Sequence, residues 1–288
     1  MSSLSIIIPT HKRADILAQC LEHIEKQTVA DQIEVIVVSD GHDDKTAELF
    51  AKKTWRMPLQ FLEIEKSQQG VARNRGVERA SAPLVLFIGD DMFLEPDACA
   101  LHLDTHRRLI TNRSSLNAVL GFVTWDPSLE INPVMRWLEE SGWQFGYPKI
   151  RKYSNSFLPQ NMQANFTYTS HVSLHTTAAK RFPFREDALL YGWEDIEWGM
   201  RLRDAGVRLF YEPKAKVLHH HHLTPEQSLK RMETLGQSVV RMANVVPEFR
   251  KKIVPWRLMI NRLLSFLPTI NGLHRRALLR GIRSARNE

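Results

Sequence analysis

The 288-residue chain is short of several things, and each shortage excludes something. It has two cysteines, Cys20 and Cys99, too few for a disulfide framework, which fits a reducing compartment. No apolar run approaches the ~18 residues of a membrane-spanning helix. The opening Met1-Ser2-Ser3-Leu4 lacks the basic-then-apolar pattern of a secretory leader, so none is expected. No Gly-x-x-x-x-Gly-Lys-[Ser/Thr] occurs, which argues against a P-loop ATPase. No internal repeat or low-complexity linker is present, apart from one run of four histidines.

What remains is ordinary globular material, 43% hydrophobic and 25% charged, with a net charge of +7. That charge is unevenly placed. Residues 249–288 hold ten Lys and Arg against one acid, Glu288, whereas residues 1–248 hold 29 basic and 31 acidic groups. A nearly neutral body therefore carries a tail of +9. The tail interleaves Trp256, Leu258, Met259, Leu263, Leu264, Phe266 and Leu267 with Arg257 and Arg262, and Leu278, Leu279 and Ile282 with Arg275, Arg276, Arg280 and Arg283. This is the pattern of a basic amphipathic segment on an anionic membrane, or of a helical pair packed on the body with solvated arginines. Nucleic acid has only the tail in its favour and the acidic clusters against it, so no nucleic-acid partner is expected.

Short β-branched runs at Ser5–Pro9, Glu34–Ser39 and Leu84–Ile88 predict buried parallel strands, with a further strand at Leu59–Glu65. Helical spacing of Ile16, Leu17, Cys20, Leu21 and Ile24, and the segments Thr46–Lys53 and Gly70–Ser81, place helices between them. Pro96 is expected to open a helix reaching Arg108, and Pro225 one reaching Val245. Further strands are expected at Ala118–Thr124, Val207–Tyr211 and Ala215–Leu218, with residues 125–168 irregular. Alternating strands and helices imply a doubly wound α/β sheet, whose ligands bind beyond the carboxyl ends of the strands. Those ends carry Thr10, Asp40 and the pair Asp90–Asp91.

Two adjacent aspartates after a buried strand need neutralising, by a divalent cation or by turn capping. A second acidic cluster, Glu194-Asp195-Ile196-Glu197, reads as a charged helix start or as a carboxylate base for a hydroxyl acceptor. Its flanking Trp193 and Trp198 suit either a sugar-stacking surface or the core. In the run His219–His222, strand alternation puts His219 and His221 on one side and His220 and His222 on the other. One side offers imidazole to a metal; otherwise the run is a solvated loop.

Taken in order, six segments resemble family 2 glycosyltransferases of the GT-A fold. They are Ser5-Ile-Ile-Ile-Pro-Thr-His-Lys-Arg13, Val37-Val-Ser-Asp-Gly41, Gly70-Val-Ala-Arg-Asn-Arg-Gly76, Phe87-Ile-Gly-Asp-Asp91, Tyr191-Gly-Trp-Glu-Asp195 with Arg201-Leu202, and Val217-Leu-His219. The resemblance spans about residues 3–245. It implies an inverting enzyme that moves a sugar from a nucleoside-diphosphate sugar, UDP-linked first of all, to a carbohydrate or lipid-linked hydroxyl in surface polysaccharide or glycolipid synthesis. It implies a GT-A domain over 1–245, with a nucleotide-binding half (1–124) and an acceptor-binding half (125–245), and a helical tail over 246–288. Pro9, Thr10, Arg13, Asp40, Arg73 and Asp90 would hold the donor. Asp91, with His219 and His221, would hold Mn²⁺ or Mg²⁺. Asp195 would be the base and Glu194 would position the acceptor. The usual Asp-x-Asp metal motif has lost its first carboxylate to Gly89. A cytoplasmic enzyme, peripheral on the inner membrane face, is the expected setting. The rivals are a sugar-nucleotide nucleotidyltransferase, which would carry a glycine-rich loop where Pro9–Arg13 stands, and a non-catalytic membrane-surface protein.

Overall fold

The computed structural model describes residues 2–110, 116–187 and 191–287. In chain order its first half comprises β1 (Leu4–Thr10), α1 (Ala14–Glu25), β2 (Ile33–Asp40), α2 (Asp44–Lys52), β3 (Leu59–Ile64), α3 (Gln69–Arg79), β4 (Leu84–Ile88), β5 (Met92–Leu94), α4 (Ala98–Leu109) and β6 (Asn117–Trp125). There follow α5 (Pro133–Ser141), α6 (Tyr147–Ile150), β7 (Ser156–Phe157), α7 (Gln160–Gln163), β8 (His171–His175), α8 (Thr176–Arg181), α9 (Glu194–Asp204) and β9 (Arg208–His219). The chain closes with α10 (Pro225–Val245), α11 (Pro255–Leu264) and α12 (Ile270–Asn287).

Eight strands form one sheet in the order β3-β2-β1-β4-β8-β6-β9-β5, and β7 pairs with β9. The run β3-β2-β1-β4 is parallel; β1, β2 and β4 are buried throughout, as the interior of a parallel sheet requires, and β3 is its half-exposed edge. β8 enters antiparallel between β4 and β6, and β9 runs parallel to β6. β3, β2, β1, β4, β6 and β9 therefore point the same way, and their carboxyl ends lie along one edge. The main core fills around β1, β2 and β4, with Leu17, Leu21 and Ile24 of α1 against it.

Three expectations need correction. Val207–Tyr211 and Ala215–Leu218 are one strand, β9, because a bulge absorbs Pro213: residues 212–215 oppose the single residue Gly121. The α4 helix starts at Ala98, after a turn at Pro96. Residues 125–168 contain α5, α6, α7 and β7. The boundary after Val245 separates α10 from a tail that packs back on it. Val239 and Met242 of α10 share a small core with Phe249 and Ile282. A Cβ on Gly236 would lie 2.2 Å from the Leu278 carbonyl oxygen, and one on Gly281 would lie 1.9 Å from that of Glu233, so α10 and α12 touch backbone to backbone.

Candidate active site

A cavity of about 720 Å³ opens at the carboxyl ends of the strands. Pro9, Arg13, Arg73, Asp90, Asp91, Glu194 and Asp195 all line it. They come from five places in the chain: the end of β1, the loop after it, α3, the loop after β4 and the start of α9.

The acidic pair is held from both sides. Thr10 Oγ1 donates to Asp90 Oδ2 at 2.7 Å, and Arg13 Nη1 reaches Asp90 at 2.9 Å and Asp91 at 3.0 Å. The register of β5 on β9 pairs Met92 with His219, and this brings the histidine run beside Asp91. His219 Nε2 and His221 Nδ1 each lie 3.4 Å from Asp91 Oδ2. One ligand atom from each of Asp91, His219 and His221 falls within 4.8 Å of the others. His220 takes the other side, at 2.6 Å from Asp126. Trp125 stacks on the His219 ring, centroids 4.9 Å apart, and fixes its plane. Burial and the neighbouring Asp91 push the Asp90 carboxyl up to about 6. Burial acts against Asp91 too, but His219, His221 and Arg13 outweigh it and hold that carboxyl well below the ordinary range.

Glu194 is buried, and burial with the adjacent Asp195 raises its carboxyl to about 7. Its Oε1 accepts Gln69 Nε2 at 2.5 Å, and Gln69 Oε1 accepts Arg73 Nη2 at 3.1 Å. Arg73 is itself buried, and its Nε and Nη1 have no hydrogen-bond partner among the described residues. A buried guanidinium with idle donors facing a cavity is a costly arrangement unless an anion completes it. Asp195 is less enclosed. Thr169 holds its carboxylate through Oγ1 at 2.6 Å and the backbone N–H at 3.1 Å.

Other singled-out residues have structural partners. Asp40 does not line the cavity: it accepts Lys66 Nζ at 2.6 Å and Ser67 N at 2.7 Å. Burial would raise its carboxyl, but these bonds outweigh it and lower it. Asn74 clamps Phe184, donating to its carbonyl at 2.9 Å and accepting its N–H at 2.8 Å. Glu197 pairs with Arg201 at 2.8 Å. Trp198 is core, stacked on Phe184, whereas Trp193 reaches the cavity wall. Gln69 and Thr169 went unnoticed in the sequence. Their partners lie 125 and 26 residues away, and no local periodicity marks them.

The fold and this site define a GT-A glycosyltransferase. The family model for glycosyl transferase family 2 matches residues 5–179, and the chain belongs to that family. Validoxylamine A glucosyltransferase of Streptomyces hygroscopicus subsp. jinggangensis is 27% identical over 219 residues, 71% of this chain and 52% of that protein. A PGL/p-HBAD biosynthesis glycosyltransferase of Mycobacterium bovis is 36% identical over 99 residues, 33% of this chain and 38% of that protein. The chain thus spans about half or less of these relatives. Among solved structures, the Pyrobaculum calidifontis mannosyltransferase PcManGT, in complex with GDP-Man and Mn²⁺, superposes with a TM-score of 0.65 at 13% identity, covering 98% of this chain and 86% of that one. Staphylococcus aureus TarS 1-349, in complex with UDP-GlcNAc, gives 0.53 at 16% identity, covering 100% and 91%.

Proposed function

We propose that the protein is an inverting, metal-dependent glycosyltransferase that moves a sugar from a nucleoside-diphosphate sugar, UDP-linked first of all, to a hydroxyl of a carbohydrate or lipid-linked acceptor. The observation that carries this is the meeting, in one cavity, of the buried Arg73 with its unengaged donors, the held carboxylate of Asp195, and Asp91, with His219 and His221 clustered beside it. PcManGT with GDP-Man and Mn²⁺, and TarS with UDP-GlcNAc, support the substrate class.

Arg73 and Arg13 supply fork-shaped donors for the diphosphate. Gln69 and Glu194 orient Arg73, so in this reading Glu194 serves the donor side, where the family resemblance implies the acceptor. Asp195, fixed by Thr169, removes the proton from the attacking hydroxyl. Attack from the face opposite the leaving diphosphate inverts the anomeric carbon. The residues present fit a divalent cation: Asp91, His219 and His221 would hold it, with His219 Nε2 and His221 Nδ1 each turned toward Asp91 Oδ2. Two imidazoles with one carboxylate rank Mn²⁺ ahead of Mg²⁺, which prefers oxygen ligands throughout. When bound, such an ion supplies Lewis-acid stabilisation of the departing diphosphate.

The test is calorimetric titration of UDP, GDP and dTDP with Mn²⁺ and with EDTA. One nucleotide should bind, about tenfold or more weaker in EDTA, a difference of ~1.4 kcal/mol. Asp91→Ala should bind it equally under both conditions. Failure of all three nucleotides, or wild-type binding that ignores EDTA, would defeat the reading.

Restoring the missing carboxylate should not help. A Cβ on Gly89 would stand 2.9 Å from Asp91 Oδ1 and 3.5 Å from Met92 Cγ. Gly89→Asp therefore displaces the Asp91 carboxylate and does not join it. The Mn²⁺ concentration for half-maximal nucleotide binding should rise several-fold, and a fall would show that the site has room for a fourth ligand.

A further inference from the structure

The two tail helices differ in a way that composition does not reveal. Helix α12 is built into the body through its backbone contact with α10 and through buried Gly272, His274, Ala277, Gly281 and Ile282. Helix α11 has no buried residue. Its apolar positions Trp256, Met259, Ile260 and Leu263 follow the i, i+3, i+4, i+7 spacing of a single stripe, and that stripe faces outward. Trp256 is 56% exposed, Met259 59% and Leu263 61%; the stripe runs on into the following turn with Phe266 at 73% and Leu267 at 48%. In a helix packed on a globular body the apolar stripe faces the core. Here it is Leu258 that touches the body, against the cluster around Met242 and Phe249.

Arg257 and Arg262, both exposed, flank the stripe, and among the described residues neither has a carboxylate within ion-pair distance. Exposed Arg250, Lys251, Arg276 and Arg280 extend the basic field; among the described residues only Arg280 of these four lies near an acid, Glu233 at 3.4 Å. We propose that α11 and its following turn form an in-plane anchor that docks the protein on an anionic phospholipid surface. The apolar stripe enters the acyl boundary, Trp256 sits at the interface, and the arginines meet the head groups. A second copy of the chain fits this patch less well. A two-fold contact would set the same unpaired arginines against each other with no acid to answer them.

The anchor is one contact layer from the cavity. Asn261 of α11 accepts from Arg275 of α12, whose guanidinium lies 5.3 Å from the Trp143 ring, and Trp143 lines the cavity. If the transferase reading holds, docking would bring that wall to a membrane-borne acceptor. The docking itself does not depend on that reading.

Truncating the tail is a poor test, because loss of α12 would bare the apolar face of α10. The full chain should be floated with phosphatidylcholine vesicles and with vesicles containing phosphatidylglycerol. Binding is expected only to the latter, and Leu263→Glu/Phe266→Glu should weaken it at least tenfold at unchanged melting temperature. Arg257→Glu/Arg262→Glu should weaken it likewise. No binding to anionic vesicles would overturn the proposal. So would full binding by the Leu263/Phe266 variant, or a wild-type dimer in sedimentation that the same variant abolishes. A protein that floats but transfers no sugar would leave the anchor standing and overturn only the enzymatic reading.

Discussion

Asp195→Asn should lower turnover by at least ~10²-fold while leaving nucleotide affinity within about twofold, since general-base assistance is typically worth ~10²–10⁴. The substitution preserves shape: the amide oxygen can accept the Thr169 backbone N–H and the amide nitrogen can donate to a reoriented Thr169 Oγ1, so the side chain should stay where the carboxylate was. What disappears is the proton acceptor. Glu194 is the competitor for this role, because a carboxyl raised to about 7 is well tuned for a base near neutrality. Its geometry argues otherwise: it is buried and its Oε1 is engaged by Gln69, which in turn holds Arg73. Glu194→Gln should therefore act first on donor binding, raising KM or the nucleotide Kd, with a smaller effect on kcat. The two variants are compared by nucleotide release with the donor that the binding screen identifies. A kcat loss larger in Glu194→Gln than in Asp195→Asn would move the base to Glu194.

The parts of the fold that the sequence disclosed are those where a local pattern and the tertiary environment agree. β1, β2 and β4 are unbroken apolar runs because both faces are covered. The α10 helix begins where Thr224, Pro225 and Gln227 form a capping box, which is a local device. Strands such as β8 were not visible. His171-Val-Ser-Leu-His175 does alternate in polarity, but over only five residues, and its polar side, with His171 and Ser173, is fully buried, so the alternation does not mark a solvent face. β5 has only three residues and exists through its pairing with β9. Around the cavity, chemistry-bearing clusters such as Asp90–Asp91, Glu194–Asp195 and His219–His221 stood out because acids and histidines in short runs are conspicuous. Gln69 and Thr169 are ordinary residues made important by distant partners. Asn74 shows the reverse: it lies inside a motif segment, yet its hydrogen bonds hold the backbone of Phe184. The tail adds a last distinction. Spacing shows that α11 is amphipathic, but only its neighbours determine which way the apolar side turns.

Between pH 6.5 and 4.5, three buried histidines and two buried carboxyls should pull the stability of this protein in opposite directions, and single variants should separate them. His102 and His106, one turn apart on α4, meet Ser173 of β8 through their ring nitrogens, each at 2.8 Å from Oγ, and His102 Nε2 lies 3.1 Å from His171 Nε2. A neutral relay places one hydrogen in each of these contacts. A second proton on His102 or His171 would remove the acceptor nitrogen from one of these contacts, and among the described residues no carboxylate lies within ion-pair distance to answer the charge. Burial accordingly lowers His106 and His171 to about 3 and His102 well below its ordinary value; His171 adds to the shift at His102, and the nearby His175 to that at His106. The unfolded chain takes up these protons below pH ~6.5 and the folded chain does not, so each histidine costs ~1.4 kcal/mol of stability per pH unit as pH falls. Asp90 and Glu194, raised to about 6 and 7, act with the opposite sign. The folded state holds their protons where the unfolded state has released them, so each restores ~1.4 kcal/mol per unit on acidification, from its folded value down to its unfolded value near 4. These five groups together should thus cost only about 1–2 kcal/mol per unit near pH 5.5, three histidines against two carboxyls. His106→Gln should flatten that slope by ~1.4 kcal/mol per unit, and Glu194→Gln should steepen it by a similar amount. Urea unfolding at half-unit steps of pH measures both. Parallel slopes in wild type and His106→Gln would mean that His106 is charged in the folded state, against the lowering that its burial and the nearby His175 impose.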